Sequence, residues 1–236
     1  MPRPWVVAVL LLCLIPVTGC NSVSGGGGNG TGDGLNLKAV PQASVSRAVA
    51  QEQEADAVAL QVRDADGFVV SVPAGRDVVR QRAVQVSDDA CAPVAFALAG
   101  AAVGKPASTV VRHATGDGAD VTVVLAFYDA ERAPAAMDAL AAALDTCADG
   151  FTVTVDGQER RVSDLVPELA PQGADQAMAL GGFSVTGDET KVPVEVVVFR
   201  EGPTVGYLRA VPQGRAAGRD FGVPAAIVQA QLAKFS

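Results

Sequence analysis

A single histidine, His113, stands among the 236 residues, and that count removes much of the chemistry a chain of this length could carry. The His-Glu-x-x-His zinc motif and every site built on several imidazoles are excluded. His113 lies between Arg112 and Ala114, just before a Gly/Asp turn, and suits a turn or surface residue better than a general base. Ser184, in Gly182-Phe183-Ser184-Val185-Thr186-Gly187, comes near Gly-x-Ser-x-Gly. Thr186 stands where the last glycine belongs, however, and no strand-to-helix elbow is expected there. The stretch Gly100-Ala101-Ala102-Val103-Gly104-Lys105-Pro106 approximates a phosphate loop but is one residue short, and Pro106 replaces the hydroxyl that would hold magnesium. It reads as a helix end followed by a turn. Asp117 and Asp120, or Asp88 and Asp89, could offer oxygens to calcium, yet no twelve-residue loop of alternating ligands surrounds them. Capping and turn formation explain them better. Glu195, Arg200 and Arg209 could line a polar cleft or stand as solvated strand positions, because alternation alone does not say which face is open. The expectation is a chain with no catalytic residue, no metal and no cofactor.

The four cysteines say more. Arg3 and the amino terminus give a basic start, residues 5–17 are almost wholly apolar, and small residues precede Cys20, which is the layout of an export signal. The apolar stretch is too short to span a membrane, which takes roughly 20 apolar residues. Val17-Thr18-Gly19-Cys20 resembles a bacterial lipobox. That resemblance implies a thioether lipid on Cys20, removal of residues 1–19, and a new amino terminus acylated by a chain such as palmitate. The competing reading is an ordinary secretory peptide with a chance cysteine near its cleavage site. Residues 21–34 are Gly, Asn, Ser, Thr and Asp apart from Val23, and have nothing with which to build a core. They read as a flexible tether with a reach on the order of 20 Å. No strand precedes their glycines and no helix opens on them, so they are not a dinucleotide fingerprint.

The remaining residues, 35–236, suffice for a single domain with a sizeable core. The chain carries 26 acidic and 18 basic side chains, a net charge of −8, with the two signs interspersed. A basic nucleic-acid footprint is absent, and solubility is the plain meaning of the charge.

Cys13 lies in the apolar stretch and Cys20 would carry lipid, which leaves Cys91 and Cys147 in an exported domain. Two thiols outside the cytoplasm suggest one disulfide. Asp88 or Asp89 can cap a helix in which Cys91, Val94, Ala95, Leu98 and Ala102 recur at helical spacing. In a second helix, opened by Asp129, Met137, Leu140, Leu144 and Cys147 follow at steps of three, four and three. Each cysteine therefore falls on a buried stripe, where a bond would staple two helices. Two buried free thiols or a redox pair are the alternatives, and no Cys-x-x-Cys favours the latter.

Other segments fill in a mixed domain. Residues 44–62 read as a helix, and residues 67–72 and 81–86 as short strands with Pro73, Ala74 and Gly75 turning between them. Residues 107–114 and 119–128 form the best hairpin candidate, divided by Thr115-Gly116-Asp117-Gly118, and its second run reads as covered on both faces. Residues 151–155 and 160–165 flank a turn at Asp156-Gly157. Residues 176–185, 191–200 and 204–211 read as a three-strand meander, and a helix over about residues 220–235 closes the chain, with Pro224 in its first turn. The fold class expected is α+β, a mainly antiparallel sheet with packed helices and one inter-helix disulfide.

In order, the lipobox, polar tether, helix, Cys91 opening a helix, and valine-rich hairpin resemble the PknH-like extracellular sensor domains and related actinobacterial lipoproteins. The segment Val124-Leu125-Ala126-Phe127-Tyr128-Asp129, leading into an alanine-rich helix that ends at Cys147, continues the resemblance. A β-rich segment and a closing helix complete it. Two departures are Leu144, where members often have a tryptophan, and the lack of a second cysteine pair. The resemblance implies a non-catalytic domain, lipid-anchored at the outer face of the cytoplasmic membrane, with a cleft for a small molecule, lipid or envelope component. A signal would need a membrane-protein partner to cross the membrane. An envelope protein-interaction or structural module is the second reading, and a hydrolase with an unfamiliar site the third.

Overall fold

The computed structural model describes residues 53–214 and 221–236, all within one compact unit, Pro41–Ser236. Cys20, the apolar stretch, the tether and the first half of the helix expected over 44–62 lie outside the described residues. No helix among the described residues is long and apolar enough to cross a membrane.

Nine strands build one sheet: β1 (Phe68–Ser71), β2 (Val84–Val86), β3 (Ser108–Gly116), β4 (Ala119–Phe127), β5 (Phe151–Val155), β6 (Gln158–Glu168), β7 (Gln176–Val185), β8 (Lys191–Glu201) and β9 (Thr204–Pro212). Their order is β1-β3-β4-β9-β8-β7-β6-β5-β2, and every neighbouring pair is antiparallel. Short connections dictate the pairs of consecutive strands, β3–β4 and β5 through β9, whereas β1–β3, β4–β9 and β2–β5 join strands distant in sequence. Asp117-Gly118 and Asp156-Gly157 each put two successive residues at positive φ, 48° and 72° in the first and 48° and 79° in the second. Such two-residue turns match the twist of the strands they join.

Two expectations need correction. The strand expected over 81–86 shrinks to β2, preceded by a 3-10 turn at Gln81–Ala83. Its partner in the expected local turn, β1, stands at the opposite edge of the sheet. The α+β expectation also overweights the helices. Besides the helical residues 53–57, the described residues hold α1 (Ala92–Ala99), α2 (Arg132–Thr146) and α3 (Ala225–Leu232), against nine strands. The molecule is mostly sheet.

Strand periodicity sends alternate side chains into two cores. Val124, Ala126, Val196, Val198, Val205 and Tyr207 face α1 and α2. Val121, Val123, Leu125, Val197, Phe199 and Leu208 face the opposite way, toward residues 59–65 and α3. The double covering expected of β4 is therefore present.

On the first face, Cys91 and Cys147 are joined, with Cα atoms 5.7 Å apart and a sequence separation of 56. Closing a loop of that length contributes roughly 4 kcal/mol in the chain-entropy account. The Asp88 carboxylate accepts from the Ala90 N–H, the cap expected of it. On the second face no disulfide is made among the described residues. The Gln231 side chain on α3 accepts from the Leu60 N–H and donates to the Val58 carbonyl, while Arg112 of β3 donates to the Leu60 carbonyl and pairs with Asp56. These bonds satisfy backbone groups that a helix would have paired internally. The helix expected as far as residue 62 accordingly ends at 57.

Candidate functional site

The last turn of α1 stands over the sheet. Gly100, at φ 75°, ends the helix: its N–H bonds to the Ala97 carbonyl and the Ala101 N–H to that of Phe96. This C-terminal motif consumes those two carbonyls and leaves the next one, Leu98, for an outside donor. Arg209 of β9 supplies it through Nε. A cation under a helix C-terminus is electrostatically favoured, and the positive φ of Gly100 suits glycine in this close approach. A Cβ on Gly100 would lie 3.3 Å from Thr122 Cγ2 and 3.6 Å from Arg209 Cδ.

Arg209 is half-buried, and its terminal nitrogens make no hydrogen bond or ion pair among the described residues. Among the described residues no buried side-chain nitrogen or oxygen lacks a partner, so those nitrogens stay open to the cavity beside them. Burial first, then the neighbouring Arg160 charge, pulls the Arg209 guanidinium down to about 10, against a smaller upward pull from Asp120. Arg160 of β6 is half-buried too and has no ion pair among the described residues. Two cations thus face one space without a carboxylate in contact.

That space is a cavity of about 310 Å³ between α1, the β5–β6 hairpin and the meander. Val79, Ala95, Leu98, Val153, Val155, Val162 and Val194 form apolar walls, and Arg160, Arg209, Gln158, Ser184 and Asp156 supply the polar groups. Strand register explains the convergence. Arg160 lies opposite Val153, Gln158 opposite Val155, and Ser184 opposite Val162, so all face the helical side. The arrangement can bind an anion attached to an apolar body.

It is not arranged for nucleophilic catalysis. Ser184 has no histidine near it: His113 sits within β3, opposite Ser71 and Thr122, in the first strand of the expected hairpin. His113 lines none of the three cavities described here. Arg200 is spent at the end of the sheet, bonding Asp175 at 2.9 Å and Gln176 at 2.6 Å. Glu195 faces the other way, where burial pushes its carboxyl up, a Val223 backbone hydrogen bond opposes this and the Glu168 charge adds to it. Asp117 is a turn residue, and no group of three potential metal ligands occurs among the described residues. Gly100 to Pro106 forms the expected helix end and turn. Of the meander cations and carboxylate singled out in sequence, only Arg209 lines this cavity; Ser184 lines it too. Arg160 and Gln158 escaped sequence reasoning, although their alternation with Val162 was a usable signal.

Two other cavities differ in character. One, of about 740 Å³, runs along β3 beside residues 78–82 and 100–106. Its cations Arg80, Arg82 and Lys105 are exposed, and its buried Arg112 is already paired with Asp56. The other, of about 530 Å³, combines Glu54, Asp129 and Glu201 with Phe127, Tyr128 and Phe235 at one end of the sheet.

No protein-family model matches the chain, and no curated protein matches it significantly. Among solved structures it is similar to the extracellular domain of PknH from Mycobacterium tuberculosis, at 14% identity over 78% of this chain and 93% of that one, with a TM-score of 0.46. It is also similar to an uncharacterised protein of Mycobacterium smegmatis, an Rv0999 ortholog, at 15% identity over 79% and 94%, with a TM-score of 0.38. The first of these belongs to the family that the sequence resembles.

Proposed function

We propose that this chain is an extracytoplasmic binding lipoprotein, anchored through Cys20 at the outer face of the cytoplasmic membrane, whose cavity beneath α1 receives a small ligand. The observation that carries the reading is the pair Arg160 and Arg209, two half-buried cations without a carboxylate in contact, in a cavity walled mainly by valine and alanine. Burying cations without partners is costly and gains nothing for folding that an apolar residue would not supply. A bound anion relieves the cost. In this reading the protein is non-catalytic, and any signal passes to a membrane-protein partner.

Native mass spectrometry of the domain Pro41–Ser236, purified gently from its own host, tests the binding half. A reproducible non-covalent adduct is expected; a clean unliganded mass would count against it. The mass of the amino-terminal peptide of the exported chain tests the anchor, which requires a lipidated Cys20.

A protein-partner role, the second reading, has one specific observation behind it. Val62, Val69 and Val72 are 69%, 69% and 71% exposed, and Val69 lies on the edge strand β1. Exposed valines on and next to an edge strand suit a protein contact.

A further inference from the structure

We propose that the cavity beneath α1 binds a small aliphatic monocarboxylate, its carboxylate between Arg160 and Arg209 and its chain along the valine walls. This rests on the binding reading above and names its ligand class.

Charge, shape and size converge on that class. With Asp120 acting on Arg209 from outside the lining, the lining itself holds two guanidinium groups and one carboxylate, Asp156, a net of one positive charge. A monoanion cancels it, whereas a phosphate monoester carries about −1.5 to −2 at neutral pH and would leave an excess beside Asp156. The guanidinium fork is matched to a carboxylate, and Arg209 has committed only Nε, to Leu98. Val79, Leu98, Val153, Val155, Val162 and Val194 present no polar side-chain atom to the rest of the ligand. The volume of about 310 Å³ corresponds to about ten waters of the liquid, close to the ten or so non-hydrogen atoms of octanoate.

The domain Pro41–Ser236 contains both cores, all nine strands and the disulfide, so it serves as the test protein when produced in an oxidising compartment. Isothermal titration with octanoate, octanol and inorganic phosphate compares wild type with Arg160→Met. Octanoate is expected to bind the wild type, and the substitution is expected to weaken it at least tenfold while leaving octanol binding unchanged. Because the Arg160 side chain makes no hydrogen bond or ion pair among the described residues and its burial without a partner is costly, the variant should unfold no earlier than the wild type. Equal binding of octanol and octanoate, both indifferent to Arg160→Met, would overturn the anion class while leaving a ligand site. Phosphate binding with octanoate silent would overturn the carboxylate. Silence from every probe would overturn this inference alone if host-purified protein carries an adduct, and the binding reading as well if it carries none.

Discussion

The sheet is closed on its two faces by different means. On the helical face a disulfide joins α1 to α2, and the buried Tyr128 and Tyr207 hydroxyls, 3.0 Å apart, hold the Val103 backbone at the loop after α1. On the other face residues 53–65 and α3, from the two ends of the described chain, are held by Gln231, Arg112 and the ion pair of Lys234 with Asp64 at 2.6 Å. The difference teaches where function fits. A cavity lined by unpaired cations survives under a helix that a covalent bond keeps in place, whereas the face closed by separate chain segments spends its buried polar groups on closure.

The sharpest way to break that contrast is to remove the staple. The double variant Cys91→Ala, Cys147→Ala should lose roughly 4 kcal/mol, a fall of roughly 10 °C in melting temperature for a domain of this size. Hydrogen exchange should show the loosening in α1 and α2 before α3. Next, Gln231→Leu should cost about 3 kcal/mol, because it strands the Leu60 N–H and the Val58 carbonyl in a buried place. Denaturant titration should detect the loss, and exchange should now begin in residues 53–65 and α3. Tyr128→Phe removes a donor to the Val103 carbonyl and should cost about 1 kcal/mol. The smallest effect concerns acid. Burial pushes Asp64 up, but the Lys234 hydrogen bond and charge and the Gln61 N–H outweigh it and hold its carboxyl below the ordinary 3.8. A lowered folded value means stability that is present above the unfolded value and lost as pH falls through the folded one. Asp64→Asn should therefore flatten the stability profile below about pH 4 while also lowering the neutral plateau.

Local chemistry made much of this legible. The two Asp-Gly turns, the valine alternation of β4, the meander and the buried stripes of Cys91 and Cys147 each follow from patterns within a dozen or so residues, and all appear in the structure. What escaped depended on distant partners. Nothing near residue 58 says that Gln231 and Arg112 will take over the backbone bonds that end its helix. Likewise, nothing near β2 says that it will pair with β5 at the edge opposite β1. The site divides in the same way. Arg209 was visible as a strand cation, but its role depends on the carbonyl that the α1 cap leaves free. Arg160 became significant only when the register of β6 set it on the side of Leu98 and Val194.

The most direct test of the proposed binding site compares two plugs in host-purified protein by native mass spectrometry. Ala99→Trp, at a half-buried position on α1, fills the arginine cavity. Ser108→Trp fills the acidic cavity beside Phe235. The account predicts that the first abolishes the wild-type adduct and the second leaves it intact; an adduct that survives Ala99→Trp and disappears in Ser108→Trp would contradict it.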